Sequence, residues 1–258
     1  MRLLSSLVIL LAHSSGFLWC PRARAALRAE RRAAVASSSD EELFQFHRDM
    51  MPPVQRLALE GAPIDALELL QSLFATDQRT HSSAAAALRA AALSEEVRTS
   101  AALAASECAA MRRWFDKRVG KRADVDNVDG LPKFQVNLEE RKLREVVGHD
   151  GAERLLALPA VLFGLEHRPV LDSAFIRRYT RETRSHMPFH VDGNSFTANI
   201  ALTPPDSHEG GELVALAAGA CHKMPRRLGE ATVHGGHVCH AVSPVTAGER
   251  YSLLMFFR

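Results

Sequence analysis

Residues 175–202 contain two short apolar runs, Phe175-Ile176-Arg177-Arg178-Tyr179 and Phe196-Thr197-Ala198-Asn199-Ile200-Ala201-Leu202. Between them lies the segment Met187-Pro188-Phe189-His190-Val191-Asp192, which is followed by Gly193. Short runs rich in aromatic and β-branched residues, separated by Gly, Pro, Asp and Ser, are typical of β-strands. The stretch therefore predicts consecutive strands of an antiparallel sheet.

Three further runs of the same kind follow, Leu213–Leu216, Ala231–His234 and Tyr251–Phe257. Many short strands after a helical lead-in predict an α+β chain in which a double-stranded β-helix, or jelly-roll, barrel carries an N-terminal helical layer. We expect three regions: a leader and linker over 1–38, a helical region over 39–129, and the barrel domain over 130–258.

The helical expectations rest on capping patterns and on apolar spacing. Ser39-Asp40-Glu41-Glu42 has the form of a capping box, so a helix is predicted to start there and to end before Pro52. Leucines at helical spacing follow Pro63, and the Ala-rich stretch 83–118 predicts one or two further helices. Two more helix starts are predicted at Asn137-x-x-Glu140 and Asp150-x-x-Glu153.

The first 38 residues resemble a targeting leader. Arg2 precedes the apolar run Leu3–Ala12, as in a signal peptide, and residues 17–38 carry five arginines but only one acid, Glu30, as in organelle transit peptides. We expect entry into the secretory pathway, to the endoplasmic reticulum lumen or beyond, with import into a plastid-like organelle as the alternative. After the leader, no apolar run approaches the ~18–20 residues that a membrane helix needs.

Composition excludes several classes of function. The 32 basic and 30 acidic residues leave a net charge of only +2, so the sequence gives no electrostatic reason to expect a nucleic-acid partner. The four cysteines contain no CxxC pair, and in a chain of this length they do not make a disulfide scaffold. The chemistry must therefore be sought elsewhere.

His190-Val191-Asp192 places an imidazole and a carboxylate two residues apart, and on an extended segment the two side chains lie on the same face. The same spacing in His47-Arg48-Asp49 falls in a predicted helix, where the side chains diverge, so no site is expected there. His240 offers a third ligand from a strand-like stretch downstream. Two histidines and one carboxylate form the facial triad that holds iron(II) and leaves positions open.

Arg250 lies ten residues after His240, at the start of the last predicted strand. Open iron positions suit 2-oxoglutarate, which chelates the metal through its 1-carboxylate and 2-oxo group, together with dioxygen. The distal carboxylate then needs a fixed cation, and an arginine offers a planar fork that matches it. His234 and His237 compete for the third ligand position, but neither keeps this spacing to Arg250.

The segments quoted above resemble, in order and spacing, the catalytic domain of procollagen lysyl hydroxylases and, more loosely, prolyl 4-hydroxylases. The likeness continues through Glu209-Gly210-Gly211, Met224-Pro225-Arg226-Arg227-Leu228-Gly229 and the segment from His240 to Tyr251. It covers roughly residues 174–257. The resemblance implies hydroxylation of a C–H bond with iron(II), 2-oxoglutarate and dioxygen, and with ascorbate as an expected reductant.

The resemblance also implies roles for individual residues. His190, Asp192 and His240 would hold iron, and Arg250 would bind the distal carboxylate of 2-oxoglutarate. Tyr179 and Asn199 would add hydrogen bonds to the co-substrate, although a core tyrosine and a strand-interior amide with a local partner are the alternatives for these two. The expected substrate is a peptidyl lysine or proline.

Other functions stay open at this point. The substrate could be a free amino acid or a small metabolite, and a peptide-binding groove in the helical layer would separate the two possibilities. A catalytically inactive jelly roll could bind a ligand or partner, but it has no physical reason to keep all of His190, Asp192, His240 and Arg250. A zinc hydrolase could use the same three metal ligands, but it leaves Arg250 without a role.

Overall fold

The computed structural model describes residues 97–120 and 132–258, together with six helical residues nearer the N-terminus and Asp126. The predicted leader and the helix predicted to start at Ser39 lie outside the described residues. Glu68 and Leu69, in the predicted helix after Pro63, are helical. Within the described part of the chain, no helix has the length and apolar character needed to cross a membrane.

Two antiparallel sheets form the body of the protein. The larger has six strands in the order β1-β9-β5-β12-β3-β2, the smaller has four in the order β4-β10-β7-β8, and β11 pairs with β6 in a separate ribbon. The strands are β1 Val97–Ala101, β2 Gln135–Asn137, β3 Leu171–Tyr179, β4 Met187–His190, β5 Phe196–Ala201, β6 His208–Gly210, β7 Leu213–Ala217, β8 Ala220–Lys223, β9 Glu230–Gly235, β10 His240–Val242, β11 Val245–Gly248 and β12 Arg250–Phe257.

Along the chain, strands of the larger and the smaller sheet alternate from β3 to β4 to β5 and again from β9 to β10 to β12, with β11 of the ribbon between the last two. This alternation is the topology of a double-stranded β-helix, so the predicted fold is confirmed. Among the strands that the structure describes, the two sheets are not hydrogen-bonded into one closed cylinder, so the barrel is an open sandwich there. The five strands predicted from the apolar runs all form, with ends that differ by a few residues.

Alternation along β12 separates two environments. Leu253, Met255 and Phe257 belong to a buried apolar cluster that includes residues of the helices α1 (Ala105–Asp116) and α2 (Glu140–Phe163). Because successive strand residues point to opposite faces, Arg250, Ser252 and Leu254 point into the sandwich. The helices thus cover one face of the larger sheet and leave its other face for the site.

Helix α1 buries Cys108, Met111 and Phe115, whose spacing places them on one side of the helix. Helix α2 is interrupted at Gly148, which has φ 79° and ψ 170°, values outside the helical region. The break falls between the two predicted helix starts, Asn137-x-x-Glu140 and Asp150-x-x-Glu153. Gly164 then ends the helix in the left-handed conformation that glycine tolerates without strain.

The prediction of helix throughout 83–118 is wrong for residues 97–101. These residues form β1, and all five pair with β9, from Val97 opposite His234 to Ala101 opposite Glu230. Pairing with the edge of an existing sheet overrides the helix propensity of the surrounding alanines. The six-stranded sheet therefore recruits residues that precede the barrel domain predicted to begin at 130.

Candidate metal centre

The ends of two neighbouring strands bring the predicted metal ligands together. His190 is the last residue of β4, His240 is the first of β10, and the two are directly paired across the ladder, with ring centroids 4.3 Å apart. Asp192 follows β4 by two residues, and its backbone N–H donates to the carbonyl oxygen of Gly236 at 3.1 Å. The segment after β4 is thereby held beside the larger sheet.

Within this group, one carboxylate lies between two imidazoles. The distance from His190 Nε2 to Asp192 Oδ1 is 3.6 Å, and that from His240 Nε2 to Asp192 Oδ2 is 3.7 Å. One ligand atom from each of the three residues lies within 4.8 Å of the others. This is the spacing of atoms that can share one metal ion.

Backbone carbonyls fix the tautomer of both imidazoles. His190 Nδ1 lies 2.8 Å from the carbonyl oxygen of Pro188, and His240 Nδ1 lies 3.0 Å from that of Val238. Because a carbonyl can only accept, each Nδ1 carries the proton and each Nε2 presents a lone pair toward Asp192. Orientation of a ligand imidazole through its other nitrogen is usual in metal sites, so these residues fit a metal ion.

The hydroxyl of Thr197 orients Asp192 from the larger sheet. Thr197 Oγ1 donates to Asp192 Oδ2 at 2.5 Å, and Asn194 Nδ2 donates to Thr197 Oγ1 at 3.1 Å. Asn194 also donates to the carbonyl oxygen of Phe196. Sequence reasoning did not identify Thr197, although its position five residues after the Asp192 carboxylate was the available signal.

Electrostatics favour the protonation states that a metal requires. Burial, reinforced by the neighbouring His240, lowers the pKa of His190 to about 3. Burial raises the pKa of Asp192, but His240 and His190 lower it more, so that the net shift is downward. At neutral pH the carboxylate is therefore ionised and His190 is neutral, which is the state in which both can bind a metal ion.

Of the two competing histidines, His237 is exposed and His234 is buried beside the group of three. His234 lies on β9, and its ring centroid is 4.4 Å from that of His240. Its Nδ1 lies 2.9 Å from the carbonyl oxygen of Gly235, and its Nε2 is buried with no hydrogen-bond partner among the described residues. The cluster that can hold a metal contains His240 and neither competitor.

Arg250 begins β12 and lies directly opposite Tyr179 on β3. It is fully buried, its Cζ lies 4.8 Å from the centroid of the Tyr179 ring, and none of its three side-chain nitrogens has a hydrogen-bond partner among the residues that the structure describes. A Cβ on Gly211 would lie 2.8 Å from Arg250 Cδ, so glycine leaves the space that the arginine occupies. Arg250 is thus a buried cation that points into the sandwich and has no anionic partner among the described residues.

The two weaker predictions, Tyr179 and Asn199, also lie in this interior. Burial raises the pKa of Tyr179, but Arg177, Arg250 and Arg184 lower it more, so the net direction is downward. Asn199 Oδ1 accepts a hydrogen bond from Arg226 Nη1 at 2.8 Å. Its amide oxygen is therefore already engaged, and Arg226 is a residue of this interior to which sequence reasoning gave no role.

The sequence is similar to those of known hydroxylases. No family model matches the chain. A PKHD-type hydroxylase of Nitrosomonas europaea is 32% identical over 97 residues, which are 33% of this chain and 42% of that protein. A procollagen lysyl hydroxylase and glycosyltransferase of Acanthamoeba polyphaga mimivirus is 34% identical over 152 residues, which are 55% of this chain and 16% of that protein.

The matches span less than two thirds of either relative. A solved prolyl-4-hydroxylase from Pseudomonas putida aligns with a TM-score of 0.49 at 21% identity, covering 68% of this chain and 98% of that one. In its sequence matches and in the sheet topology described above, the chain resembles the 2-oxoglutarate- and iron(II)-dependent hydroxylases of the prolyl and lysyl type.

Proposed function

We propose that this protein is an iron(II)- and 2-oxoglutarate-dependent dioxygenase that hydroxylates a C–H bond. The observation that carries the proposal is the combination, inside one sandwich, of the His190, Asp192 and His240 group with the guanidinium of Arg250, which is fully buried and has no hydrogen-bond partner among the described residues. A buried cation without an anion costs several kcal/mol. A metal site together with such a cation suits a 2-oxo dicarboxylic acid, because the 2-oxo acid end can chelate the metal and the distal carboxylate can pair with the guanidinium.

The chain's own residues account for binding and orientation. Nε2 of His190 and of His240, with a carboxylate oxygen of Asp192, would hold iron(II) on one side and leave positions open on the other. Thr197 keeps the Asp192 carboxylate in place through its hydrogen bond. Iron(II), when bound, supplies the centre at which dioxygen is reduced while 2-oxoglutarate is decarboxylated to succinate.

Arg250 would fix the far end of the co-substrate. Its guanidinium can form two parallel hydrogen bonds to a carboxylate, and burial strengthens them because the local dielectric is low. The face of the Tyr179 ring packs against the guanidinium. Its phenolic hydroxyl would add a hydrogen bond to the co-substrate. The result is a single orientation of the co-substrate, with its 2-oxo acid end at the metal.

The proposed substrate is a peptidyl lysine or proline, in keeping with the names of the relatives. A free amino acid or a small metabolite is the alternative. The test is to incubate the iron-loaded protein, 2-oxoglutarate and air with a panel of lysine- and proline-containing peptides and with the free amino acids, and to look for a gain of one oxygen by mass spectrometry. Oxidation of the free amino acids but not of the peptides would overturn the peptide assignment.

The proposed function includes a reductant and a cellular compartment. We propose that ascorbate sustains turnover by keeping the iron reduced, and that residues 1–38 direct the chain to the secretory pathway or, through a bipartite leader, to a plastid-like organelle. Intact-mass analysis of protein from its native source tests the leader. A mature form that retains the apolar run Leu3–Ala12 would contradict it.

A further inference from the structure

Arg226 extends a second guanidinium into the interior that holds Arg250. It lies in the connection between β8 and β9, and its two terminal nitrogens donate to different strands of the larger sheet. Nη1 donates to Asn199 Oδ1 of β5 at 2.8 Å, and Nη2 donates to Ser252 Oγ of β12 at 2.9 Å. Ser252 lies two residues after Arg250 on the same face of β12, so the two arginines are neighbours on one wall.

The connection that carries Arg226 is tied down at both ends. The backbone N–H of Met224 donates to the carbonyl oxygen of Leu213, and that of Gly229 donates to the carbonyl oxygen of Ala201, each at 2.8 Å. A Cβ on Gly229 would lie 1.9 Å from the carbonyl oxygen of Leu103, so glycine is required for this close approach. Arg226 is therefore held in place by its backbone as well as by its side chain.

The partners of Arg226 are neutral. Among the residues that the structure describes, neither Arg226 nor Arg250 forms an ion pair with an acid, and an amide oxygen and a hydroxyl do not compensate a cation. Glu212 attracts both guanidinium groups, but it lies beyond ion-pair distance. Burial first and repulsion by Arg250 second lower the pKa of Arg226 well below its usual range. Two neighbouring cations without a bonded anion make a site for a carboxylate.

We infer that Arg226 is a second carboxylate-binding residue, which shares the distal carboxylate of the 2-oxo acid with Arg250 and is positioned for this by Asn199 and Ser252. The inference rests on the proposed function and adds to it a specificity device. A pocket with two guanidinium groups discriminates strongly between a dicarboxylic 2-oxo acid and a monocarboxylic one of the same chain length. Asn199 then acts on the co-substrate through Arg226, by holding the guanidinium.

The experiment measures binding at equilibrium by titration calorimetry, with manganese(II) as a redox-inert metal and with two probes. The probes are 2-oxoglutarate and 2-oxopentanoate, which has the same carbon chain but lacks the distal carboxylate. Arg226→Met keeps most of the apolar side chain and removes the charge, and its matched control is Arg227→Met, at the neighbouring exposed position. Circular dichroism and thermal unfolding establish that each variant folds.

We expect Arg226→Met to bind 2-oxoglutarate about 10- to 100-fold more weakly than wild type, because one charge-assisted contact to the carboxylate is lost. Binding of 2-oxopentanoate stays within about twofold, and Arg227→Met behaves as wild type with both probes.

If Arg226→Met binds 2-oxoglutarate as tightly as Arg227→Met does, or if it weakens both probes equally, Arg226 is not a ligand of the distal carboxylate. If folded Arg226→Met cannot be obtained, Arg226→Gln, which also removes the charge, decides by the same criterion. Failure of the wild-type protein to bind 2-oxoglutarate at all would instead contradict the proposed function. The two failures are therefore distinguishable within one set of titrations.

Discussion

The guanidinium of Arg250 is fully buried, and none of its nitrogens has a hydrogen-bond partner among the described residues. We predict that Arg250→Ala leaves the metal bound, since the side chain is not a ligand. A carboxylate left without its cation costs about 3–5 kcal/mol, which is two to four decades in 2-oxoglutarate affinity. Titration calorimetry of the manganese-loaded variant measures this loss.

Arg250→Lys is the matched control for charge. Lysine restores a point charge but not the planar fork, so it should recover only part of the affinity. Unchanged 2-oxoglutarate affinity in Arg250→Ala would remove the co-substrate assignment and favour a site that binds only a metal.

Iron binding should depend on each of the three grouped residues. His190→Ala, Asp192→Ala and His240→Ala should each abolish iron(II) binding at stoichiometric metal, because an open site with three ligands loses its chelate geometry when one is removed. His234→Ala is the control, since this buried imidazole lies beside His240, with ring centroids 4.4 Å apart, without joining the group. Retention of iron in His240→Ala, with loss in His234→Ala or His237→Ala, would mean that His240 is not the third ligand.

The buried imidazoles also predict how the metal-free protein responds to acid. Burial is the first cause that lowers the pKa of His190 to about 3 and that of His234 to about 4, and both groups titrate near 6.5 when the chain is unfolded. Between these values the unfolded state binds more protons than the folded state, so stability falls as pH is lowered from about 6.5 toward 4. Each group adds a slope of at most about 1.4 kcal/mol per pH unit.

Urea unfolding of the metal-free protein at a series of pH values between about 7 and 5 measures this slope. His234→Phe removes one of the imidazoles and should give a shallower dependence of the free energy of unfolding on pH. An equal slope in the variant and the wild type would show that His234 does not titrate in this way.

Among the secondary-structure elements, helix α1 packs against β12, the strand that carries Arg250. The ring of Phe115 meets that of Tyr251 edge to face, with centroids 5.6 Å apart, and Phe115 is fully buried. Phe115→Ala should lower the free energy of unfolding by about 3–5 kcal/mol, because it leaves a cavity in the apolar cluster. Arg113→Ala, at an exposed position of the same helix, should change it by less than about 0.5 kcal/mol.

Urea unfolding distinguishes these two variants. A loss in Phe115→Ala no larger than that in Arg113→Ala would mean that α1 contributes little to the core of the larger sheet.

Local sequence patterns predict some of the strands and miss others. The strands β3, β5, β7, β9 and β12 were predictable because each carries a short apolar run bounded by turn residues. Strand β1 was not, because an edge strand buries few side chains and its pairing with β9 is a long-range contact that leaves no local period. The helical assignment of 97–101 failed for that reason.

At the scale of the whole molecule, the site forms because the strand order places distant segments side by side. Spacing on an extended segment predicted that His190 and Asp192 share a face, and the ten-residue interval to Arg250 selected His240. The position of the Arg226 side chain could not be predicted in this way, because sequence spacing does not show where the side chain of a loop residue points. Only the pairing of β5 with β12 brings Asn199 and Ser252 close enough to hold it.

In the proposed function, metal, 2-oxo acid and dioxygen react together in this sandwich. The most direct measurement is the release of carbon dioxide from 2-oxoglutarate labelled at its 1-carboxylate, matched to succinate formed, with iron(II), air and the peptide panel present. We predict equimolar carbon dioxide and succinate from the wild type, none without iron(II), and none from His240→Ala. Absence of carbon dioxide from folded, iron-loaded wild-type protein, or equal release by His240→Ala, would contradict the account.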